Sequence, residues 1–134
     1  MHSILLIEDD ENFASTVSRL LEDEGYNVTH IGASESVEEI VDYILGEAET
    51  HQFDCIITDL QLQKYNYDSI RDLRVPNAVA QYKEIYNSCW ITLSGATPDE
   101  AKRIQMEYPQ IDGHVNKRRF VVALLDLLTQ LSGN

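Results

Sequence analysis

Short continuous apolar runs alternate with longer stretches in which apolar residues recur every three or four positions. Ser3-Ile4-Leu5-Leu6-Ile7 has no polar alternation, the pattern of a strand covered on both faces of a parallel sheet. It ends in Glu8-Asp9-Asp10-Glu11. A helical pattern follows, with Phe13, Val17, Leu20 and Leu21 on one stripe and Gly25 placed to stop it as a left-handed cap. Residues 26–31 read as a second strand. Ser36 and Glu39 form a capping box ahead of a helix carrying Val37, Ile40, Val41, Ile44 and Leu45. Residues 53–58 read as a third strand, which delivers Asp59 at its C-terminal end.

A further helix is expected within residues 68–86, broken into two pieces by Pro76. Cys89-Trp90-Ile91-Thr92-Leu93 is the fourth strand pattern and ends at Ser94-Gly95. Thr97-Pro98-Asp99-Glu100 combines a cap, a proline in the first turn and an acid at the third position, a helix start. Residues 111–115 read as a short fifth strand and residues 118–131 as a last helix. Strand and helix alternating in this way imply an α/β fold, a five-stranded parallel sheet with helices on both faces; the expected fold is flavodoxin-like, with strand order 2-1-3-4-5. The 134 residues suffice for one domain, expected to span 1–134.

Charge narrows the functions open to this fold. Residues 1–60 hold fifteen acids and one base, Arg19, a net of −14, within a chain of net charge −13. Lys117-Arg118-Arg119 is the single basic cluster, too small to displace the counterions of a nucleic acid, so direct nucleic-acid binding is not expected. The apolar stretch 120–131 is too short and interrupted to cross a bilayer, and no basic segment precedes the first apolar run as a secretory signal requires. The expected location is the cytoplasm, without a membrane partner. Cys55 and Cys89 lie inside apolar runs and read as small buried hydrophobes.

Ligands of open parallel sheets sit outside the C-terminal ends of the strands, at the point where strand order reverses. Glu8 and Asp9 follow the first strand, Asp59 the third, Ser94 the fourth, and Lys117 comes just after the fifth. In the order 2-1-3-4-5 the first and third strands are neighbours, so three carboxylates converge. Two unit charges about 4 Å apart repel by roughly 4 kcal/mol at an effective dielectric near 20. Either one carboxylate takes a proton or a cation binds. Hard oxygen ligands with open positions suit Mg²⁺, which keeps several waters and accepts phosphate as a further ligand. A carboxylate can then act as nucleophile toward phosphorus, while an ammonium group and a hydroxyl meet the phosphoryl oxygens.

Together, Ile4-Leu5-Leu6-Ile7-Glu8-Asp9-Asp10, Asp54-Cys55-Ile56-Ile57-Thr58-Asp59-Leu60, Ile91-Thr92-Leu93-Ser94-Gly95-Ala96 and Gly113-His114-Val115-Asn116-Lys117 resemble a response-regulator receiver domain of the chemotaxis type. The resemblance covers nearly the whole chain, in order and at roughly the right spacings. It implies Asp59 as the phosphoacceptor, Asp9 as a direct Mg²⁺ ligand with Glu8 acting through water, and the backbone carbonyl of Gln61 as a further metal ligand. It implies Ser94 as the switch hydroxyl and Lys117 as the phosphate-contacting lysine. The implied donor is a phosphohistidine on a sensor histidine kinase or a histidine phosphotransfer protein. The implied output is a protein contact through the face of helix four, strand five and helix five. Because the chain stops soon after its last helix, a stand-alone receiver is expected.

Two positions and one loop depart from the family pattern. Arg118 follows the lysine where proline is usual, and His114 fills the aromatic switch position. Leu60-Gln61-Leu62-Gln63-Lys64-Tyr65-Asn66-Tyr67 replaces the usual loop after the acceptor, and the stretch from Asp59 to Ser94 is longer than usual. The altered loops favour an alternative, a receiver-like binding module that works without phosphorylation, and the retained Glu8, Asp9, Asp59 and Lys117 oppose it. A Mg²⁺-dependent phosphatase is opposed by Gln61, which stands where such an enzyme places its second acid, so no enzyme beyond self-phosphorylation and dephosphorylation is expected. The last helix is apolar around most of its circumference, and a second stripe near Val122 or Leu125 fits a partner or a homodimer. His2, His30 and His51 stand in no pattern that assigns them a role.

Overall fold

The structure is a computed structural model and describes residues 2–47, 52–59 and 73–132. Five strands, β1 (Ser3–Ile7), β2 (Asn27–Ile31), β3 (Cys55–Thr58), β4 (Cys89–Ser94) and β5 (Gly113–Asn116), form one sheet in the order β2-β1-β3-β4-β5. All four pairings are parallel, with Ile7 opposite both Ile31 and Thr58, Thr58 opposite Thr92, and Thr92 opposite His114. The expected order and the all-parallel pairing are both observed.

Alternate residues of the continuous apolar runs feed two separate cores. Leu5, Ile7, Ile56 and Trp90 pack with α2 (Val37–Asp42, continued by a π-helical turn at Tyr43–Glu47), α3 (Arg74–Tyr86) and α4 (Pro98–Glu107). Ile4, Leu6, Ile57, Ile91, Leu93 and Val115 pack on the other face with α1 (Glu11–Asp23) and α5 (Phe120–Ser132). A strand covered on both sides has no use for polar alternation, which is why β1, β3 and β4 read as unbroken apolar runs.

The helix boundaries follow their caps. Gly25, at φ +94°, ends α1: its N–H reaches Glu22 O and the Tyr26 N–H reaches Leu21 O, the paired bonds of a Schellman turn. Ser36 with Glu39 and Thr97 with Glu100 make the two expected capping boxes, each cap worth about 1 kcal/mol. The expected break at Pro76 does not occur. Pro76 lies in the first turn of α3, one residue ahead of Asn77, whose N–H makes the first intrahelical bond, to Leu73 O. A missing N–H there costs no bond. The stretch 68–72, where the first expected piece would begin, lies outside the described residues. A 3₁₀ turn at Lys117–Arg119 precedes α5, so that helix proper starts at Phe120 rather than Arg118.

Candidate functional site

The four-acid run after β1 divides its labour. Asp10 is the N-cap of α1, its side chain accepting from the Phe13 N–H at 3.1 Å, and Glu11 lies in the first helical turn. Glu8 and Asp9 remain at the mouth of the sheet. The Glu8 N–H bonds to Ile31 O, which carries the β1–β2 ladder one residue past the strand, and the Asp59 N–H bonds to Ile7 O in the same way on the other side. The register therefore places Glu8 and Asp59 beside each other at the C-terminal edge of neighbouring strands.

Lys117 meets them from the turn just after β5. Its Nζ donates to Asp59 Oδ2 at 2.7 Å and to Glu8 at 3.0 Å, and it lies 4.9 Å from the centre of the Phe13 ring. Glu8 is 1% exposed and Asp59 4%. Burial first, and the neighbouring negative charge of Asp59 second, push the Glu8 carboxyl up to about 7 against the opposing pull of Lys117. Burial works against the charged form of Lys117 too, but its bonds to Asp59 and Glu8 outweigh it and raise the ammonium above its ordinary range. The carboxylates of Glu8, Asp9 and Asp59 offer oxygens all within 4.8 Å of one another. Fully ionised, three carboxylates and one ammonium carry a net charge of −2, which is what a divalent cation cancels.

The donor set fits such an ion: carboxylate oxygens only, and Glu8 pushed up to about 7 without one. Two oxygens on one Mg²⁺ at 2.0–2.1 Å stand at most about 4.2 Å apart. The oxygens of the cluster all lie within 4.8 Å of one another, close to that span.

The remaining expected residues are distributed around this centre. Ser94 ends β4, 1% exposed, its Oγ accepting from the Ala96 N–H at 3.3 Å. His114 lies deeper along the sheet, opposite Thr92, and its Nδ1 meets Thr92 Oγ1 at 2.7 Å. Its Nε2 is buried without a hydrogen-bond partner, and burial lowers its pKa against the counteracting charge of Asp59. Gln61, expected to offer its carbonyl to the metal, lies outside the described residues. Two partners of the site were not expected. The indole N–H of Trp90, the one tryptophan in the chain, donates to Thr58 Oγ1 next to Asp59 at 3.0 Å, and His30 Nε2 bonds the Glu8 carbonyl at 2.7 Å. Apolar patterning marked Trp90 and Phe13 only as core.

The wider comparisons agree with this fold. Residues 4–118 match the model of the response regulator receiver domain. The fold is similar to that of the chemotaxis response regulator CheY4 of Vibrio cholerae, at 22% identity over 98% of both chains and a TM-score of 0.72. It is also similar to a CheY-like receiver domain protein of Methanospirillum hungatei, at 18% identity over 97% of this chain and 92% of that one, TM-score 0.71. A response regulator of Burkholderia pseudomallei, whose structure contains a phosphorylated aspartic acid and a calcium ion, matches at 24% identity over 98% of this chain and 69% of that one, TM-score 0.69. No curated protein sequence matches the chain. The family match runs through Glu8, Asp9, Asp59, Ser94 and Lys117 alike, and the chain belongs to the response regulator receiver domains, the phospho-accepting modules of two-component signalling.

Proposed function

We propose that Asp59 is the phosphoacceptor, that Glu8 and Asp9 share with it a Mg²⁺ ion, and that the Gln61 carbonyl completes the protein's ligands. The observation that carries this reading is one lysine shared by two buried carboxylates: Lys117 Nζ lies 2.7 Å from Asp59 and 3.0 Å from Glu8. A lone ammonium cannot balance them, and a divalent cation can. When bound, Mg²⁺ supplies charge neutralisation for the phosphoryl oxygens and an anchor for the group in line with its acceptor. An Asp59 oxygen attacks phosphorus, the bond from phosphorus to the donor histidine nitrogen breaks, and that nitrogen keeps the electron pair and takes up a proton. Lys117 then turns its donors to the new phosphoryl oxygens, and the Ser94 hydroxyl supplies another.

Phosphorylation exchanges a charge of −1 for roughly −1.5 to −2 and three strong acceptor oxygens. Drawing Lys117 and Ser94 toward that group biases the face of α4, β5 and α5, where Met106, Val121 and Val122 are exposed. That face is the proposed contact for a downstream protein or a second copy. The donor in this reading is a sensor histidine kinase or a histidine phosphotransfer protein. The chain works as one receiver domain over 1–134, in the cytoplasm, without direct nucleic-acid contact and without catalysis beyond its own phosphorylation and dephosphorylation. Among the described residues no helix is long and apolar enough to cross a membrane.

His114 where an aromatic switch is usual favours a second reading, a module that binds its partner unphosphorylated. One experiment separates them. Incubation with acetyl phosphate and Mg²⁺ should label the protein, and Asp59→Asn should abolish labelling. Unchanged labelling of the variant would show another acceptor. No labelling of the parent, and no response to beryllofluoride, would leave the binding module.

A further inference from the structure

The two acids after β1 share a peptide bond, and the orientation of its plane constrains the backbone from which both side chains project. The Glu8 carbonyl and the Asp9 N–H are the two ends of that plane. Two contacts from β2 and the turn after it bear on that plane, and a third fixes the peptide just ahead of it. Ile31 O accepts from the Glu8 N–H at 3.0 Å. His30 Nε2 lies 2.7 Å from the Glu8 carbonyl oxygen. Gly32, at φ +112°, passes so close that a Cβ there would stand 3.1 Å from Glu8 N and 3.2 Å from Glu8 O. A carbonyl can only accept, so the hydrogen in the His30 bond sits on Nε2.

The histidine reaches this carbonyl from one strand away. His30 is opposite Leu6, two residues short of Glu8, and its half-buried ring extends along the sheet to the strand end. β2 is the outermost strand on that side, so few other groups of the sheet can hold the Glu8–Asp9 peptide from there. On the inner side the Glu8 carboxylate is held by Lys117 and by the Asp10 N–H at 3.1 Å. The carboxylate and the backbone of Glu8 are thus fixed from opposite directions.

We propose that His30 is a positioning residue for the metal site: its Nε2–H bond to the Glu8 carbonyl sets the peptide plane from which the Glu8 and Asp9 carboxylates project toward the cation. The proposal rests on the reading of Glu8, Asp9 and Asp59 as the Mg²⁺ ligands. Outer groups that orient ligands typically contribute about 10- to 100-fold to metal affinity. The bond to an invariant acceptor needs a donor and not a charge, so glutamine can replace histidine and leucine cannot.

The test is a titration of ¹⁵N-labelled protein with magnesium chloride at constant pH, following the amide signals of Asp9 and Asp59 in the parent, His30→Leu and His30→Gln. His30→Leu should raise the half-saturating Mg²⁺ concentration at least about fivefold, while His30→Gln stays within that factor of the parent. The proposal is overturned if His30→Leu shifts by less, or if His30→Gln shifts as far as His30→Leu, since the ring would then matter only as filling. Should His30→Leu not fold, His30→Gln and Gly32→Ala carry the test. Gly32→Ala, which pushes on the same peptide, should weaken Mg²⁺ at least fivefold while His30→Gln does not, and any other pair of results overturns the proposal. A parent that shows no Mg²⁺-dependent shift at Asp9 and Asp59 fails the metal reading itself, an outcome distinct from either of these.

Discussion

Two lysine–carboxylate clusters sit at opposite ends of the same sheet. At the N-terminal edge, Lys83 Nζ meets Asp112 Oδ2 at 2.6 Å and also donates to Ser88 O at 3.1 Å. Asp112 Oδ2 further accepts from the Trp90 N–H at 2.8 Å, and the Asp112 N–H returns a bond to Trp90 O at 2.8 Å. One acid, one base and the flanking backbone groups satisfy each other, and the cluster pins the entry of β5 to β4. At the C-terminal edge one lysine faces three carboxylates, two of them almost fully buried, and Glu8 is pushed up to about 7. The contrast shows that a short ion pair is no mark of function by itself. The mark is a charge count that does not close, in a place where ligands can reach it.

Exchanging the two lysines' roles is the sharpest way to break this comparison. Lys117→Ala should slow labelling by acetyl phosphate about 10²- to 10³-fold, the usual cost of losing one preorganised donor to a developing oxyanion. Lys83→Ala should leave the labelling rate unchanged. Equal losses from both would mean that Lys117 acts only through the fold.

The next effect is a pH dependence of stability in the metal-free protein. Folding raises Glu8 from 4.5 to about 7, so the folded chain holds this proton more tightly than the unfolded one. Stability is then lost as pH rises from about 4.5 through 7, by about 3 kcal/mol in all. His114, lowered by burial, works in the opposite sense, so the comparison with Glu8→Gln isolates the carboxyl. Urea unfolding across that range should show Glu8→Gln gaining on the parent by about 3 kcal/mol. Mg²⁺ at ten times its dissociation constant should return about 1.4 kcal/mol to the parent above pH 7. A difference that is flat with pH would show that Glu8 is ionised throughout.

Asp112→Ala should cost about 2 kcal/mol of stability, the worth of hydrogen bonds to a charged group, with acetyl phosphate labelling intact. A loss of labelling at full stability would contradict its structural role. The smallest effect belongs to a residue in neither cluster: Val122→Ser, 69% exposed on α5, should change stability by less than about 0.5 kcal/mol and leave labelling alone. If the α4–β5–α5 face is the output surface, the same variant weakens capture of a partner by the beryllofluoride-treated protein.

Much of this was legible along the chain because it rests on local rules. Continuous apolar runs announced doubly covered strands, and Ser36, Thr97 and Gly25 announced helix ends through bonds made within a few residues. The acids were legible as a group because they stand at strand ends. Their separation into a helix cap and members of the carboxylate cluster was not, since Asp10 differs from Asp9 only in where the first helical turn begins. Pro76 misled because its effect depends on its distance from the helix start, and a capless start leaves no signal: Leu73 makes no side-chain cap bond. Lys83 and Asp112 carried no pattern, their partnership spanning 29 residues.

From the sequence alone follow the α/β class and the placing of Glu8, Asp9, Asp59, Ser94 and Lys117 at strand ends, because strand periodicity and the geometry of parallel sheets are short-range and general; the strand order followed from the flavodoxin-like fold class that the chain resembles. Tertiary structure decided the rest: that Lys117 bridges Glu8 and Asp59, that Trp90 reaches Thr58, and that His30 bonds the carbonyl between the Glu8 and Asp9 side chains. Those bonds cross from strand to strand, and their existence turns on register and on side-chain reach, which no spacing along the chain encodes.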